Sequence, residues 1–344
     1  MARVTLEPDG VPSVTSQMVV SSSTPGAVSP THAVRVPFRL PLLFNRLVQL
    51  VIVLWSILTA LFFLLRITGN PAYVLAGQNA SPQQLAAVRR LYSLNGSLLT
   101  QYGRFIWHAA HFQFGPSTQT QTSAMSVVLT HLPATLLLTG LAMAVTLVVS
   151  IVLGAFLGSK PNAWSGTAAK TSVMVAQGIP SFVVALLLIE IFTVQLHWLP
   201  SIGHATWPTW IMPSLALAAY LVPQLSRVVA VNISENMGED YIRTARSYGA
   251  GPLRVLLRHA LPNSLVAATA LFGTQFAYLL SGSLVIESVF SWNGLGQLLV
   301  TSVRALDFPV IEAAVFVETI LVFMVNACAD TLFVTLDPRL RRQQ

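Results

Sequence analysis

Charge is what this sequence lacks most. Only 9% of its 344 residues are Asp, Glu, Lys or Arg, while 54% are hydrophobic and the mean hydropathy is +0.67. A soluble domain carries about 25% charged residues, so the composition excludes the ordinary soluble class and indicates a membrane protein. Cysteine is almost missing too. Cys328 stands alone in an apolar run, which excludes an intrachain disulfide or a cysteine-built metal site. Acidic residues are the scarcer sign, 12 against 19 basic, for a net charge of +7 and a pI near 10.1. Arginines at membrane boundaries account for that balance, and nucleic acid is not expected as a partner.

The motifs of bond chemistry are missing as well. "GTAAKT" (Gly166–Thr171) lacks the glycine before lysine that a phosphate-cradling loop needs, so the chain has no ATP site of its own. "HAAH" (His108–His111) has no glutamate between its histidines, unlike a zinc protease helix. With His131, His197 and His204 it could line a metal route, but ordinary surface histidines are the better reading, and no metal site is assigned. A single "NPA" at 70–72 falls short of the two copies that a water channel uses. No cofactor is expected on this chain.

Long apolar runs are what the sequence does have. A bilayer crossing takes about 20 apolar residues. Six runs qualify: Leu47–Leu65, Leu132–Gly158, Ser172–Leu196, Trp207–Ser226, Leu265–Ile286 and Ile311–Leu336. The fourth contains Pro213 and Pro223, which membrane helices tolerate when neighbours satisfy the freed carbonyls. The expectation is an all-α polytopic membrane protein with six transmembrane helices. Residues 1–36, rich in Ser, Thr, Pro and Val, read as a disordered cytoplasmic tail. The first span (37–66) is followed by an extracytoplasmic loop domain (67–130), with a helix at "SPQQLAAVRRLYSL" capped by Ser81 and opened by Pro82. Five further spans (131–336) and a C-terminus (337–344) complete the plan.

Basic residues in short loops set the orientation. Arg35, Arg39 and Arg46 precede the first span, and Lys160 and Lys170 follow the second. Arg227, Arg243, Arg246, Arg254 and Arg258 follow the fourth, and Arg339, Arg341 and Arg342 close the chain. The alternate loops are poor in them, which puts both termini in the cytoplasm. The loop 227–262 is then cytoplasmic and holds the densest charge in the chain. Glu239 and Asp240 sit where a helix would begin, favourable against its positive end. Ile242, Ala245 and Tyr248 fall on one face with Arg243 and Arg246 beside it, Gly249 supplies a left-handed stop, and Pro252 opens a second helix. From pattern alone this is either an interfacial helix holding lipid phosphates or a dock for a soluble partner.

The loop resembles the signature of permease subunits in ABC importers: Ala245 stands four before Gly249, and nine residues after that glycine come His259, Ala260, Leu261 and Pro262. Arg243 and Thr244 replace the usual Glu-Ala, and His259 the usual isoleucine, as in the peptide branch. "GNPAYVLAG", "LTQYGRF", "LPATLLL", "WLPSIG", "SGSLVIESVFSWNGLGQLLV", "DFPVIEAAVF" and "VNACADTLFVTLDPRLR" extend the resemblance over about residues 40–342. Asn70 and Asn293 depart from the usual Asp and Pro. The chain looks like the first of two permeases in the dipeptide/oligopeptide/nickel class.

That resemblance implies the type I ABC importer permease fold in a bacterial plasma (inner) membrane. Its partners would be a second, homologous permease, two ATP-binding cassette subunits carrying ATP and Mg, and an extracytoplasmic substrate-binding protein. Glu239, Asp240, Arg243, Ala245, Arg246, Tyr248, Gly249, Leu261 and Pro262 would form the element that couples to the ATPases. Peptides are the implied solute, with nickel or another small solute as the alternative, and an ion-coupled secondary transporter the rival class. Carboxylates in membrane spans usually face a cavity or a partner, which directs attention to Glu190 and Glu318; for Glu190, near the outer end of its span, reaching headgroups is the better reading, while Glu318 lies nearer mid-span. Glu287 and Asp330 fall in family-like motifs and read as helix-packing or interface hydrogen bonders. Reporter fusions at Ser117 and His204 should lie outside, and fusions at Asn162, Gly251 and Gln344 inside; termini on opposite sides would refute six spans.

Overall fold

The structure, a computed structural model, describes residues 40–67, 71–76, 80–91, 94–159, 171, 173, 175–204 and 206–336. The expected tail (1–36), Asn70, the loop with Lys160 and Lys170, and the C-terminus (337–344) lie outside the described residues. The chain divides into Met1–Leu42 and Leu43–Gln344, and the hydrophobic core belongs to the second unit. Among the described residues every named element is helical, with one isolated bridge between Pro116 and Ser123.

Helix α1 (Leu40–Ile67) is followed by three short helices, α2 (Pro71–Ala76), α3 (Pro82–Leu91) and α4 (Leu98–Ala110). The long α5 (Ala124–Ser159) precedes α6 (Ser181–Leu188), which widens into a π-helical stretch, Ile189–Gln195. Then come α7 (Pro208–Asn236), the short α8 (Asp240–Ser247) and α9 (Pro252–Val255). A second π-helical stretch, Leu256–Ala260, runs into α10 (Leu261–Val289), followed by α11 (Leu295–Arg304) and α12 (Phe308–Leu336). The Ser81 cap is reciprocal: Gln84 N–H donates to the Ser81 hydroxyl at 3.3 Å, and Ser81 N–H donates to the Gln84 carboxamide oxygen at 2.9 Å.

Among the described residues, Phe44–Ile67, Ala124–Ser159, Pro208–Asn236 and Phe308–Thr331 are long and apolar enough to cross a bilayer. Helix α10 has 29 residues, enough for a crossing at about 1.5 Å per residue. The third expected span differs. Gly178 and Ile179 N–H groups close a tight turn onto Val175 and Ala176, and Pro180 is extended at φ −60°, ψ 142°. Proline has no N–H to continue a helix and moves its predecessor out of helical geometry. A shorter apolar helix of 15 residues, Ser181–Gln195, remains.

Two other boundaries move. Helix α5 starts at Ala124, ahead of the expected Leu132, and passes through Pro133. Helix α7 passes through Pro213 and Pro223 and continues beyond Arg227 to Asn236. The loop expected over 227–262 therefore begins only after Asn236. The reason is packing: Val229, Ala230 and Ile233 are buried, and they extend the contact of α7 with α5. There a side-chain carbon on Gly154 would come within 2.6 Å of Val229, and one on Gly158 within 2.6 Å of the Ala230 carbonyl. Small residues four apart allow this approach of two membrane helices.

The core has two parts. Leu138 and Ala142 of α5, Met212 and Leu221 of α7, and Leu279 and Ile286 of α10 fill one. Leu58 of α1, Val128 of α5, Leu299 of α11, and Phe308, Ile311 and Ala314 of α12 fill the other. Glu287 lies where the two meet, fully buried at the end of α10. Its Oε1 accepts from the Thr135 hydroxyl at 2.8 Å and the Ser283 hydroxyl at 3.0 Å. Its Oε2 accepts from the N–H groups of Gly296 at 2.7 Å and Gln297 at 3.1 Å, and Leu295 N–H donates to the Thr135 hydroxyl at 2.7 Å. The first three amides of α11 thus find acceptors from α10 and α5, in place of the side-chain cap that Gly294 cannot give. A Cβ at Gly296 would collide with the Leu284 backbone. Trp292, fully buried beside this junction, donates its indole N–H to the Ala134 carbonyl at 2.8 Å.

A second carboxyl does the same for the loop before α5. Asp307, buried between α11 and α12, accepts from the Ser117 hydroxyl, from Thr118 N–H at 3.2 Å and from Gln119 N–H at 3.4 Å. Helix α1 is held differently. Arg46 pairs with Asp330 of α12 at 2.7 Å. At the other end Arg66 lies over the Phe62 ring, 3.3 Å from its centroid, and donates to the Gln101 carboxamide at 3.3 Å, within electrostatic reach of Glu312 on α12.

A buried donor left without an acceptor costs about 1–3 kcal/mol, and Glu287→Ala orphans several. That variant should lower the denaturation midpoint of the solubilised protein by an amount equivalent to roughly 3 kcal/mol or more. Glu287→Gln, which keeps an acceptor oxygen, should fall in between. A midpoint unchanged in Glu287→Ala would contradict the junction's structural role.

Candidate functional site

The charged segment between α7 and α10 folds as a small, braced unit. Glu239 is the residue before α8, extended at φ −70°, ψ 152°, and its side chain makes no capping bond; Asp240 is the first helical residue. Ile242 is fully buried against Val255 and Ala260, with Met237 and Ala250 closing the plug. One polar side chain ties three elements together. The Asn236 carboxamide at the end of α7 donates to Ser264 of α10 at 3.0 Å and accepts from the Tyr241 hydroxyl of α8 at 2.9 Å.

The stop is built on Gly249, at φ +80°. Its N–H donates to the Arg246 carbonyl at 2.9 Å, and Ala250 N–H reaches back to the Ala245 carbonyl at 3.2 Å. This paired closure of a helix end needs a left-handed residue, which glycine adopts without strain. A Cβ there would meet no neighbour within 4 Å, so conformation alone asks for glycine. Pro252 then opens α9, whose backbone continues without a break through the π-helical stretch into α10, with Leu261 and Pro262 in the first turn of α10.

Around the plug, the outward surface is polar and open. Arg243 and Arg246 are exposed, and Arg243 pairs with Asp240 at 3.4 Å across side chains that are 75% and 94% exposed. Such a pair contributes little to stability. Tyr248 is 87% exposed, and Ala245 is half-buried. The single apolar face expected of Ile242, Ala245 and Tyr248 is therefore split. Tyr248 is the residue just after the helix, at φ −81°, ψ 12°, where the chain is already leaving the helical path.

The four carboxylates expected in the membrane spans do not gather at one site, though Glu318 lies within electrostatic reach of Glu287. Glu190 is exposed in the π-helical stretch and accepts from the Gln195 carboxamide at 3.2 Å. Glu318 is half-buried midway along α12 and makes no hydrogen bond or ion pair among the described residues. Glu287 and Asp330 serve packing, at the α11 junction and in the Arg46 pair. The histidines are also apart: His111 donates to the Trp107 carbonyl at 2.7 Å, His204 lies against the Trp292 ring, and no group of three or more potential ligands gathers among the described residues. Asp307, Glu312 and Asn236 escaped the sequence reading. Asp307 was readable as a carboxyl immediately before Phe308-Pro309, at the start of a helix; the partners of Asn236 were not.

The comparisons agree with this architecture. Residues 150–342 match the family described as binding-protein-dependent transport system inner membrane component, and residues 39–139 match its N-terminal membrane-component family. The glutathione transport system permease protein GsiC of Salmonella paratyphi A (strain ATCC 9150 / SARB42) is 33% identical over 298 residues, covering 86% of this chain and 97% of the relative. GsiC of Escherichia coli (strain K12) is 32% identical over the same shares. Among solved structures, an inward-facing MetNI methionine ABC transporter aligns with a TM-score of 0.53 at 19% identity, over 62% of this chain and 97% of that one, which shows a shared fold. Two adjoining family matches over a fold of apolar helices place the chain: it belongs to the binding-protein-dependent transport system inner membrane components and is a permease subunit of an ABC importer.

Proposed function

We propose that this permease imports short peptides, including glutathione-like tripeptides, as one half of a pore completed by a second, similar permease. Two cytoplasmic ATPases and an extracytoplasmic binding protein complete the machine, and both termini lie in the cytoplasm. The chain performs no bond chemistry; ATP and Mg belong to the ATPases. The curated relatives named for glutathione, itself a tripeptide, support the solute class. Nickel or another small solute remains the alternative, and an ion-coupled carrier would instead transport without any ATPase.

One observation carries the mechanism: α8 is braced on the inside and open on the outside, and one tight turn joins it to α9, which runs on into α10. Ile242 and Asn236 fix it to the membrane helices, while Tyr248, Arg243 and Arg246 are left for a partner. In the proposed cycle the ATPases close on ATP and draw the two α8 elements together. The α9–α10 helix carries that displacement into the membrane and opens the cavity toward the binding protein. Arg243 and Arg246, being exposed, steer docking and matter less individually. Glu318, with no hydrogen bond or ion pair among the described residues, faces the pathway or the second permease in this scheme.

Two measurements test the scheme in reconstituted liposomes. A β-branched residue at φ > 0 is strained by roughly 1–2 kcal/mol, so Gly249→Val should displace Tyr248 and uncouple the machine. Binding protein still docks outside, but uptake falls and stimulated ATPase activity is lost, with Arg246→Ala milder. If α8 merely lies on lipid, the order reverses, and normal uptake by Gly249→Val would refute the coupling role. Glu318→Gln should lower uptake or shift preference among cationic peptides while assembly persists; unchanged uptake and selectivity would make that carboxyl a bystander.

A further inference from the structure

Away from the coupling end, α7 and α10 share a polar surface halfway through the membrane. The Tyr220 and Tyr278 rings stack across the two helices, with centroids 5.2 Å apart and planes 22° from parallel. Tyr220 is twelve residues after Pro208 and Tyr278 eleven before Val289, so the stack joins points at matching depth, about 16–18 Å from those helix ends. One turn further toward the coupling end, Gln224 on α7 and Thr274 and Gln275 on α10 continue the surface. One turn the other way, Ser281 extends it. Tyr278 is 50% exposed, Thr274 and Ser281 are exposed, and Tyr220, Gln224 and Gln275 are half-buried.

The location is costly for such side chains. Neither the Gln224 nor the Gln275 carboxamide has a hydrogen-bond partner among the described residues. An amide facing hydrocarbon with no partner costs several kcal/mol, and polar groups at this depth are tolerated where they line a water-filled cavity or meet another polar group. Exposed surface on another long apolar helix looks different: on α5 the most exposed large side chains at mid-helix are Val148 and Val152, at 64% and 63%. No Asp, Glu, Lys or Arg belongs to the Tyr–Gln surface. It therefore offers hydrogen bonds without selecting for the sign of a charge.

We propose that this surface is the solute-contacting wall of the translocation pathway, with Tyr220 and Tyr278 as its threshold and Gln224 and Gln275 as its hydrogen-bonding rail. The inference rests on the importer reading and gives it a location. The occupant it fits is a peptide in transit. Backbone amides donate to and accept from carboxamides and phenols whatever the side chains, and aromatic rings accept apolar side chains with little discrimination. A carrier for peptides of varied sequence needs a wall of this kind. Because Tyr278 lies on the helical run that α9 opens directly after the Gly249 turn from α8, the stack also sits where displacement of α8 would be felt.

The test uses the complete transporter in liposomes with Cys328→Ala as background, because that exposed cysteine would otherwise react. Gln224→Cys, Thr274→Cys and the control Val152→Cys are each treated with a charged, membrane-impermeant thiosulfonate. A thiol in hydrocarbon keeps its proton and reacts slowly, so the first two should be modified at least about tenfold faster than the control. Rates equal to the control would overturn the proposal. In the second arm, Gln224→Leu and Tyr278→Phe each remove one hydrogen-bonding group. Each should lower uptake of a labelled tripeptide about three- to tenfold, the effect of one lost hydrogen bond, while stimulated ATPase activity is retained. Uptake unchanged in both would likewise overturn it. The thiol arm needs assembly but no known solute, so it still decides if the unsubstituted complex fails to take up the peptide, an outcome that would count against the peptide importer reading.

Discussion

A buried carboxyl that completes another helix is the constraint on which this structure turns. Helix α11 begins in the protein interior, where water cannot satisfy its first amides. Glu287 and Thr135 reach them from two long helices, so three elements meet at one point with their polar groups paired. Apolar packing alone would allow these helices to slide, because hydrocarbon contacts are non-directional. Hydrogen bonds are directional, and here they set depth and rotation together. Asp307 repeats the device a short distance along the chain, tying the segment before α5 to the turn before α12. One end of the molecule is thus made rigid by carboxyl groups that accept several bonds each.

The opposite end is built on another principle. Its brace is an apolar plug, one asparagine and a left-handed glycine, and its charges point outward. Stiffness there comes from short covalent connections between helices. The surface left over has the composition expected of a protein interface, with an exposed aromatic side chain among arginines. Between these two ends α10 runs without interruption.

How much of this the sequence disclosed depended on the range of the interaction. Gly249, Pro252 and Ser81 were readable because their chemistry is local: a left-handed turn, a first-turn proline, a cap three residues from its partner. The long apolar runs were equally plain. Glu287 was visible as an acid inside a span, but its partner Thr135 is 152 residues away, and no spacing rule reports that. Arg227 suggested a helix end, yet the packing of Val229 and Ile233 on Gly154 and Gly158 outweighed the charge and carried α7 onward. The reverse happened at Gly178 and Pro180, where hydropathy argued for one long span and the missing N–H broke it. Tyr248 shows the limit of helical-wheel reasoning, since its assigned face applies only while the backbone is still helical.

The Arg46–Asp330 ion pair and the longer-range attraction of Arg66 to Glu312 bear on how this protein can change over generations. Arg46 and Arg66 are twenty residues apart, about 30 Å along a helix, and their counterparts Asp330 and Glu312 are eighteen apart, about 27 Å in the opposite sense. Between them most of α1 is exposed: Val51, Ile52, Trp55 and Phe63 all face outward. Those positions are free to exchange one apolar residue for another. Length is not free. A single residue inserted between the two arginines would turn one of them by about 100° relative to the other, and the Arg46–Asp330 pair and the placement of Arg66 could not both be kept. Among related chains, this helix should drift in composition while keeping its residue count.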